Sequence, residues 1–357
     1  MNPYWSSPLA EADSTAAAPS RRSAASCRTS TKPDGLRLLK DFDHGLAEVD
    51  RRYANSAIST GGRFHDVMAG SSIQVVEIGL RKRDWKQAQR PGYTIEEMSA
   101  AEQIFGIRDK VALITGGYRG IGAAIALGFA EMGAKIAVAG IEGEQAASFA
   151  ASLRDRGHDA CAAQFDVVSA EATHRMVDGV AGHFGRLDFL VNCVGVNREQ
   201  HADDVTEDVF DNVVAVNLKG AMFQAQAAAR HMIRQQSGGK QVHIGSVRTL
   251  LALRGRGYAA YCATKGGLAV LCKQLAAEWA PHRINVNVVA PTFVNTEMSA
   301  HMLADQSFYN SLVSRIPLGR IAEPEDVMRA VLFFASPASD FITGQVLYVD
   351  GGITATQ

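Results

Sequence analysis

No stretch of this chain stays apolar for the roughly 20 consecutive residues that a membrane-spanning helix needs, so no membrane partner is expected. Cys-x-x-Cys pairs are missing too. The five cysteines, Cys27, Cys161, Cys193, Cys262 and Cys272, stand apart, and the last three fall in or beside apolar segments. Their spacing excludes a paired-cysteine metal site, no metal is expected, and small buried thiols in a reducing compartment are the natural reading. Net charge is nearly absent: 36 basic residues against 37 acidic ones leave −1, which gives no support for a nucleic-acid partner. No internal repeat recurs, and the N-terminus carries no charged-then-apolar leader pattern. The expected location is the cytoplasm.

What is present is an ordinary globular composition, 47% hydrophobic and 20% charged over 357 residues, enough for one large domain or two ordinary ones. It is unevenly spread. Residues 1–97 are rich in Ser, Ala, Thr and Arg, with a burst of charge at Arg81-Lys-Arg-Asp-Trp-Lys86 and short apolar islands such as Ile73 to Leu80. Such a segment buries too little apolar surface to offset its ordering entropy, so an N-terminal extension without fixed structure is expected. It could serve as a targeting or partner-binding arm. Alternatively, translation starts at Met98, where the sequence reads like the natural opening of the domain that follows. Residues 98–357 are expected to form that single domain.

From Lys110 onward, strand-like runs alternate with helical patterns. Strands are expected at Val111–Thr115, Lys135–Ala139, Ala160–Phe165, Phe189–Asn192, Gln241–Gly245, Asn285–Ala290 and Val346–Val349. Helices are expected at Gly120–Met132, Gln145–Arg156, Ala170–Phe184, Glu207–Gln235, Ala260–Trp279 and Pro324–Ala335. This alternation implies an α/β fold: a Rossmann-type doubly wound parallel sheet with helices on both faces. Such a sheet binds ligands beyond the carboxyl ends of its strands.

Two short strings carry the chemistry. Thr115-Gly-Gly-Tyr-Arg-Gly-Ile-Gly122 follows an apolar strand and opens a helix. Glycines there let the backbone approach a pyrophosphate that rests on the helix N-terminus. Tyr261-Cys-Ala-Thr-Lys265 puts a phenol and an ammonium on one helical face. A lysine one turn away supplies positive charge that favours the phenolate, so a lowered phenol pKa is expected.

Thr-Gly-x-x-x-Gly-x-Gly followed by Tyr-x-x-x-Lys resembles the short-chain dehydrogenase/reductase family, over residues 106–352. The resemblance implies hydride transfer between a nicotinamide and an alcohol or ketone, with a catalytic set of Ser246, Tyr261, Lys265 and Asn217. Ser246, in Gln241-Val-His-Ile-Gly-Ser246, would stabilise charge on the substrate oxygen. The stretch from Ser246 to Tyr261 is slightly longer than the family's usual spacing, as an enlarged loop would explain, with Thr249 the fallback hydroxyl. Asn217, in Ala215-Val-Asn-Leu-Lys-Gly220, matches the family's helix-kinking asparagine and would hold a water linking Lys265 to solvent. The implied cofactor contacts are Thr115, Gly116, Arg119, Gly120, Ile121, Gly122, Asp166, Val167, Asn192, Gly195, Tyr261, Lys265, Val294 and Thr296. Asn192-Cys-Val-Gly195 replaces the family's usual Asn-Asn-Ala-Gly, and Thr292 replaces a usual glycine in Pro291-Thr-Phe-Val-Asn-Thr296.

No acid ends the second strand, where NAD enzymes place one; Gly140 and Ile141 stand there and Glu142 comes late. Arg119 suits a 2′-phosphate, so NADP is favoured over NAD. Arg248, Arg254 and Arg256 lie between Ser246 and Tyr261. They either border the reacting carbon and favour an anionic substrate, with Arg248 the candidate contact, or belong to a solvated surface loop. Residues 297–316 resemble the family's mobile lid. The Gly-Ser-Val-Arg-Thr-Leu stretch is similar to gluconate 5-dehydrogenase-like members, which implies a polyol or sugar acid as substrate. A 3-oxoacyl carrier-protein reductase and a non-catalytic nucleotide-binding regulator are the rival readings. Family members assemble as tetramers or dimers through the two long helices, here Glu207–Gln235 and Ala260–Trp279.

Overall fold

The computed structural model of the protein describes residues 99–356; the extension expected over residues 1–97 and the start expected at Met98 lie outside the described residues. Ser99 caps the first helix, α1 (Ala100–Phe105), by accepting the Glu102 N–H, while the Glu102 carboxylate accepts the Ser99 N–H. Then come β1 (Val111–Thr115), α2 (Gly120–Glu131), β2 (Lys135–Gly140), α3 (Gly143–Asp155), β3 (Ala160–Gln164), α4 (Ala170–Phe184) and β4 (Phe189–Asn192). The second half holds α5 (Glu207–Val214), a π-turn (Ala215–Lys219), α6 (Gly220–Gln235), β5 (Gly239–Ile244), a 3-10 turn (Val247–Thr249), α7 (Ala259–Trp279) and β6 (Ile284–Pro291). The helices α8 (Glu297–Leu303), α9 (Gln306–Val313) and α10 (Pro324–Ala335), the strand β7 (Val346–Val349) and the short α11 (Ile353–Thr356) complete it.

The seven strands make one parallel sheet in the order β3-β2-β1-β4-β5-β6-β7. Helices cover both faces, which is why β1 is apolar and fully buried from Val111 to Ile114. Its side chains alternate between two cores. Val111 and Leu113 pack with Val177, Ala225 and Leu268, whereas Ala112 and Ile114 pack with Ile125, Phe129 and Val331. Each buried Val, Leu, Ile or Phe among them stabilises the fold by about 1.5–3 kcal/mol.

The chain runs outward from β1 to β3 and then returns to place β4 against the other side of β1. That reversal leaves a crevice beyond the carboxyl ends of β1 and β4, where the doubly wound sheet accepts ligands.

Two expectations need correction. The helix expected over Glu207–Gln235 is interrupted by the π-turn around Asn217. Asn217 clasps Val196 at both backbone groups: its Oδ1 accepts the N–H at 2.8 Å and its Nδ2 donates to the carbonyl at 2.8 Å. A π-turn accommodates one residue more than an α-turn, and it is held here by a side chain reaching across to the neighbouring loop. The segment expected as one flap over 297–316 is two short helices. Asp305 separates them, since its carboxylate accepts the Ser307 and Phe308 N–H groups and caps α9. Leu312 and Ile316 pack with Val247, which ties this segment to the 3-10 turn that follows β5.

Candidate active site

A cleft of about 770 Å³ opens at the crevice, within the size range of cofactor pockets. Gly116, Arg119, Gly120, Ile121 and Gly122 line one side; Asp166, Val167, Gly195 and Thr296 line others. Gly116 has φ +67, and a Cβ on Gly122 would come within 2.0 Å of the Gly116 carbonyl oxygen. The turn can therefore close only without side chains at these two places. Arg119 stands at the N-cap of α2 without capping it, so the first-turn N–H groups are left for an anion. These features fit a dinucleotide.

Five of the expected contacts, Thr115, Asn192, Val294, Tyr261 and Lys265, are not among the residues that line the cleft. Thr115 Oγ1 bonds Asn192 Oδ1 at 3.3 Å, and both residues are buried. Val294 is buried, its carbonyl accepting Ser299 Oγ at 2.5 Å. Asn192 Oδ1 also accepts the Val194 N–H at 3.0 Å, which ties the end of β4 to the loop that lines the cleft.

At the far end of the cleft, Tyr118 lies against the last residue of β2. A Cβ on Gly140 would stand 2.4 Å from Tyr118 Cε1, so a side chain there would have to displace the ring. Arg119 instead pairs with Glu142, Nη1 to Oε2 at 3.0 Å, with the two side chains 51% and 37% exposed. A pair this exposed is worth under about 1 kcal/mol, so a phosphate can replace the carboxylate.

Tyr261 and Lys265 occupy the first two turns of α7. Lys265 is buried, donates to the Ile244 carbonyl at 2.7 Å, and holds its ammonium 5.6 Å from the centre of the Tyr261 ring. Burial lowers its pKa to about 8. The nearby Ser246 hydroxyl and the positive charge of Arg248 favour the phenolate, but burial outweighs them and pushes the phenol up to about 12. The lowered phenol expected from sequence is thus not found, because desolvation of the anion exceeds the neighbouring charge. Asn217 Nδ2 also reaches Thr264 Oγ1, at 3.2 Å, and that hydroxyl in turn donates to the Tyr261 carbonyl, linking the π-turn to α7. Thr249, the fallback hydroxyl, pairs with the Tyr348 phenol at 3.0 Å instead. The set comprises a proton donor, a buried cation and a second hydroxyl beside a dinucleotide-sized cleft, which suits proton exchange with an oxygen whose carbon gains or loses hydride.

The sequence profile of the family described as "Enoyl-(Acyl carrier protein) reductase" matches residues 116–354. Among curated proteins, gluconate 5-dehydrogenase of Gluconobacter oxydans is 37% identical over 71% of this chain and 98% of its own. D-threitol dehydrogenase of Mycolicibacterium smegmatis is 40% identical over 70% and 95%. The chain belongs to the short-chain dehydrogenase/reductase family. A solved gluconate 5-dehydrogenase from Burkholderia cenocepacia, in complex with NADP and tartrate, superposes with a TM-score of 0.69 at 38% identity, covering 72% of this chain and all of that one. As a member of this family the protein is an NAD(P)-dependent oxidoreductase acting on CH–OH groups.

Within the short-chain dehydrogenase/reductase framework, several cleft residues escaped the sequence reading. Tyr118 and Arg198 line the cleft with no role expected of them, while Ile141, expected only as the non-acidic end of the second strand, and Met298, expected in the lid of 297–316, line it as well. Arg198, three residues past Gly195, was the one with a local signal. The cysteine expectation also divides: Cys272 is buried, but Cys193 lines the cleft beside Gly116. Burial raises the Cys193 thiol to about 12, so it stays protonated. The arginine loop divides as well. Arg254 is exposed, Arg256 pairs with Glu199 at 2.5 Å, and Arg248 is buried.

Proposed function

We infer that the protein is an NADP-dependent dehydrogenase/reductase of polyols or sugar acids, with Ser246, Tyr261, Lys265 and Asn217 as its catalytic set. The observation that carries this reading is the buried Lys265 against the Tyr261 ring, with Ser246 acting on the same phenol. A bound nicotinamide supplies the hydride acceptor or donor. In reduction, Tyr261, protonated at neutral pH, gives its proton to the substrate oxygen, while Ser246 donates a hydrogen bond to the same oxygen. In oxidation, the Tyr261 phenolate receives that proton, favoured by the charges on Lys265 and Arg248. Asn217 fixes the loop at Val196 and, through Thr264, the first turn of α7.

The names of the relatives, a gluconate 5-dehydrogenase and a D-threitol dehydrogenase, support a polyol or sugar acid. NADP is supported by Arg119 at the α2 turn and by the NADP held in the Burkholderia relative. Assembly as a dimer or tetramer through α5 and α7, which carry the exposed Phe210 and Val270, and a cytoplasmic location belong to this reading.

The test follows the absorbance of reduced nicotinamide with NADP or NAD and D-gluconate, D-threitol or acetoacetyl thioester. Turnover of gluconate or threitol is expected, with Tyr261→Phe lowering kcat by about 10²- to 10⁴-fold. Turnover confined to the thioester would assign the protein to carrier-protein-type reduction. Cofactor binding without turnover, together with a biological effect indifferent to Tyr261→Phe, would make it a regulator.

A further inference from the structure

Arg248 lies two residues past Ser246 and is only 5% exposed. Its Nη1 donates to the Leu251 and Ala252 carbonyls at 3.1 and 2.5 Å, and its backbone N–H donates to Ser246 Oγ at 3.2 Å. The guanidinium is thereby fixed to its own loop. Its Nη2 is buried and makes no hydrogen bond. The titratable groups that act on it most are Cys262, Arg315, Tyr258 and Tyr261, and none is a carboxylate. Arg315 adds a second positive charge, brought near because Ile316 and Val247 share one apolar cluster. Burying a guanidinium with an unmet N–H is costly unless an anion completes it. The loop thus keeps a buried, oriented and incomplete cation beside the reacting tyrosine.

We propose that Arg248 anchors the carboxylate of the substrate, through Nη2, while the reacting carbon of the same molecule lies at Ser246 and Tyr261. This rests on the polyol or sugar-acid reading and deepens it: the preferred substrate is a hydroxy acid or its oxo acid. A planar guanidinium pairs with a carboxylate by charge-assisted hydrogen bonds, whereas a neutral polyol leaves Nη2 unmet. The other two arginines of the loop take no part, Arg254 being exposed and Arg256 held by Glu199.

The experiment measures binding alone. D-gluconate and its neutral amide, D-gluconamide, are titrated into NADP-saturated protein carrying Tyr261→Phe, with Arg248 intact, Arg248→Met or Arg248→Lys. With Arg248 intact, gluconate should bind about ten-fold tighter than gluconamide or better. Arg248→Met should abolish that preference and leave gluconamide binding unchanged. Should Arg248→Met not fold, Arg248→Lys, which keeps the charge without the planar fork, should show a smaller loss confined to gluconate. Equal losses for both ligands, no loss for either, or no preference for gluconate in the parent would overturn the anchor. Failure of the wider reading looks different: gluconate is preferred in binding, yet neither gluconate nor threitol is turned over.

Discussion

Opposing effects of burial and charge meet at Tyr261 and Lys265. Burial pushes the phenol up to about 12 and brings the ammonium down to about 8. At neutral pH the tyrosine is therefore protonated, ready for reduction, and oxidation draws on a small phenolate fraction. That fraction grows about ten-fold per pH unit, so kcat/KM for alcohol oxidation should climb from about pH 6 to about pH 9, while that for ketone reduction stays level or falls. Above about pH 8 the loss of the Lys265 charge should flatten the climb, leaving Ser246 and Arg248 to favour the phenolate. Parallel pH profiles in the two directions would contradict this assignment. His243 supports a second prediction. It is buried on β5, its Nδ1 contacts Asn192 Nδ2 at 3.3 Å, and burial lowers its pKa from 6.5 to about 4. Between those values the unfolded chain binds a proton that the folded protein refuses. Stability should thus fall as pH drops from about 6.5 to about 4, with His243 accounting for up to about 3 kcal/mol. Thermal unfolding of His243→Asn should lose less Tm over that window than the parent.

Among the elements, the α2 turn and the π-turn each place backbone where a ligand or loop needs it. Gly122→Ala would add a Cβ 2.0 Å from the Gly116 carbonyl, and the turn has to open to admit it. Alanine favours helix, so α2 itself should persist. The expected outcome is unchanged far-ultraviolet dichroism, a stability loss of about 1–3 kcal/mol and cofactor binding weakened by about ten-fold or more, read by titration. The π-turn works the other way: a side chain, Asn217, replaces a regular helical turn with a clasp on Val196.

For the whole molecule, the proposed assembly can be tested on α5 and α7. Phe210 on α5 is 42% exposed and Val270 on α7 is 66% exposed. A second copy packed on these two helices would cover both side chains. Phe210→Glu combined with Val270→Glu should lower the mass found by light scattering, with the fold retained; an unchanged mass would place the interface elsewhere. None of the helices among the described residues is long and apolar enough to cross a membrane.

The sequence by itself determined the α/β alternation, the strands Val111–Thr115, Phe189–Asn192 and Val346–Val349 to the residue, and the two motifs that name the family. These are legible because period, turn chemistry and spacing are local properties. Tertiary structure alone decided the rest. The kink at Asn217 is implied by the resemblance, but its form as a π-turn clasped to Val196 is not, nor is the packing of Tyr118 against the end of β2. Tertiary structure also separated three arginines that look equivalent in sequence into one exposed, one paired and one buried beside Tyr261. Burial and partnership depend on what the fold brings across the gap, and this same dependence made the phenol harder, not easier, to ionise.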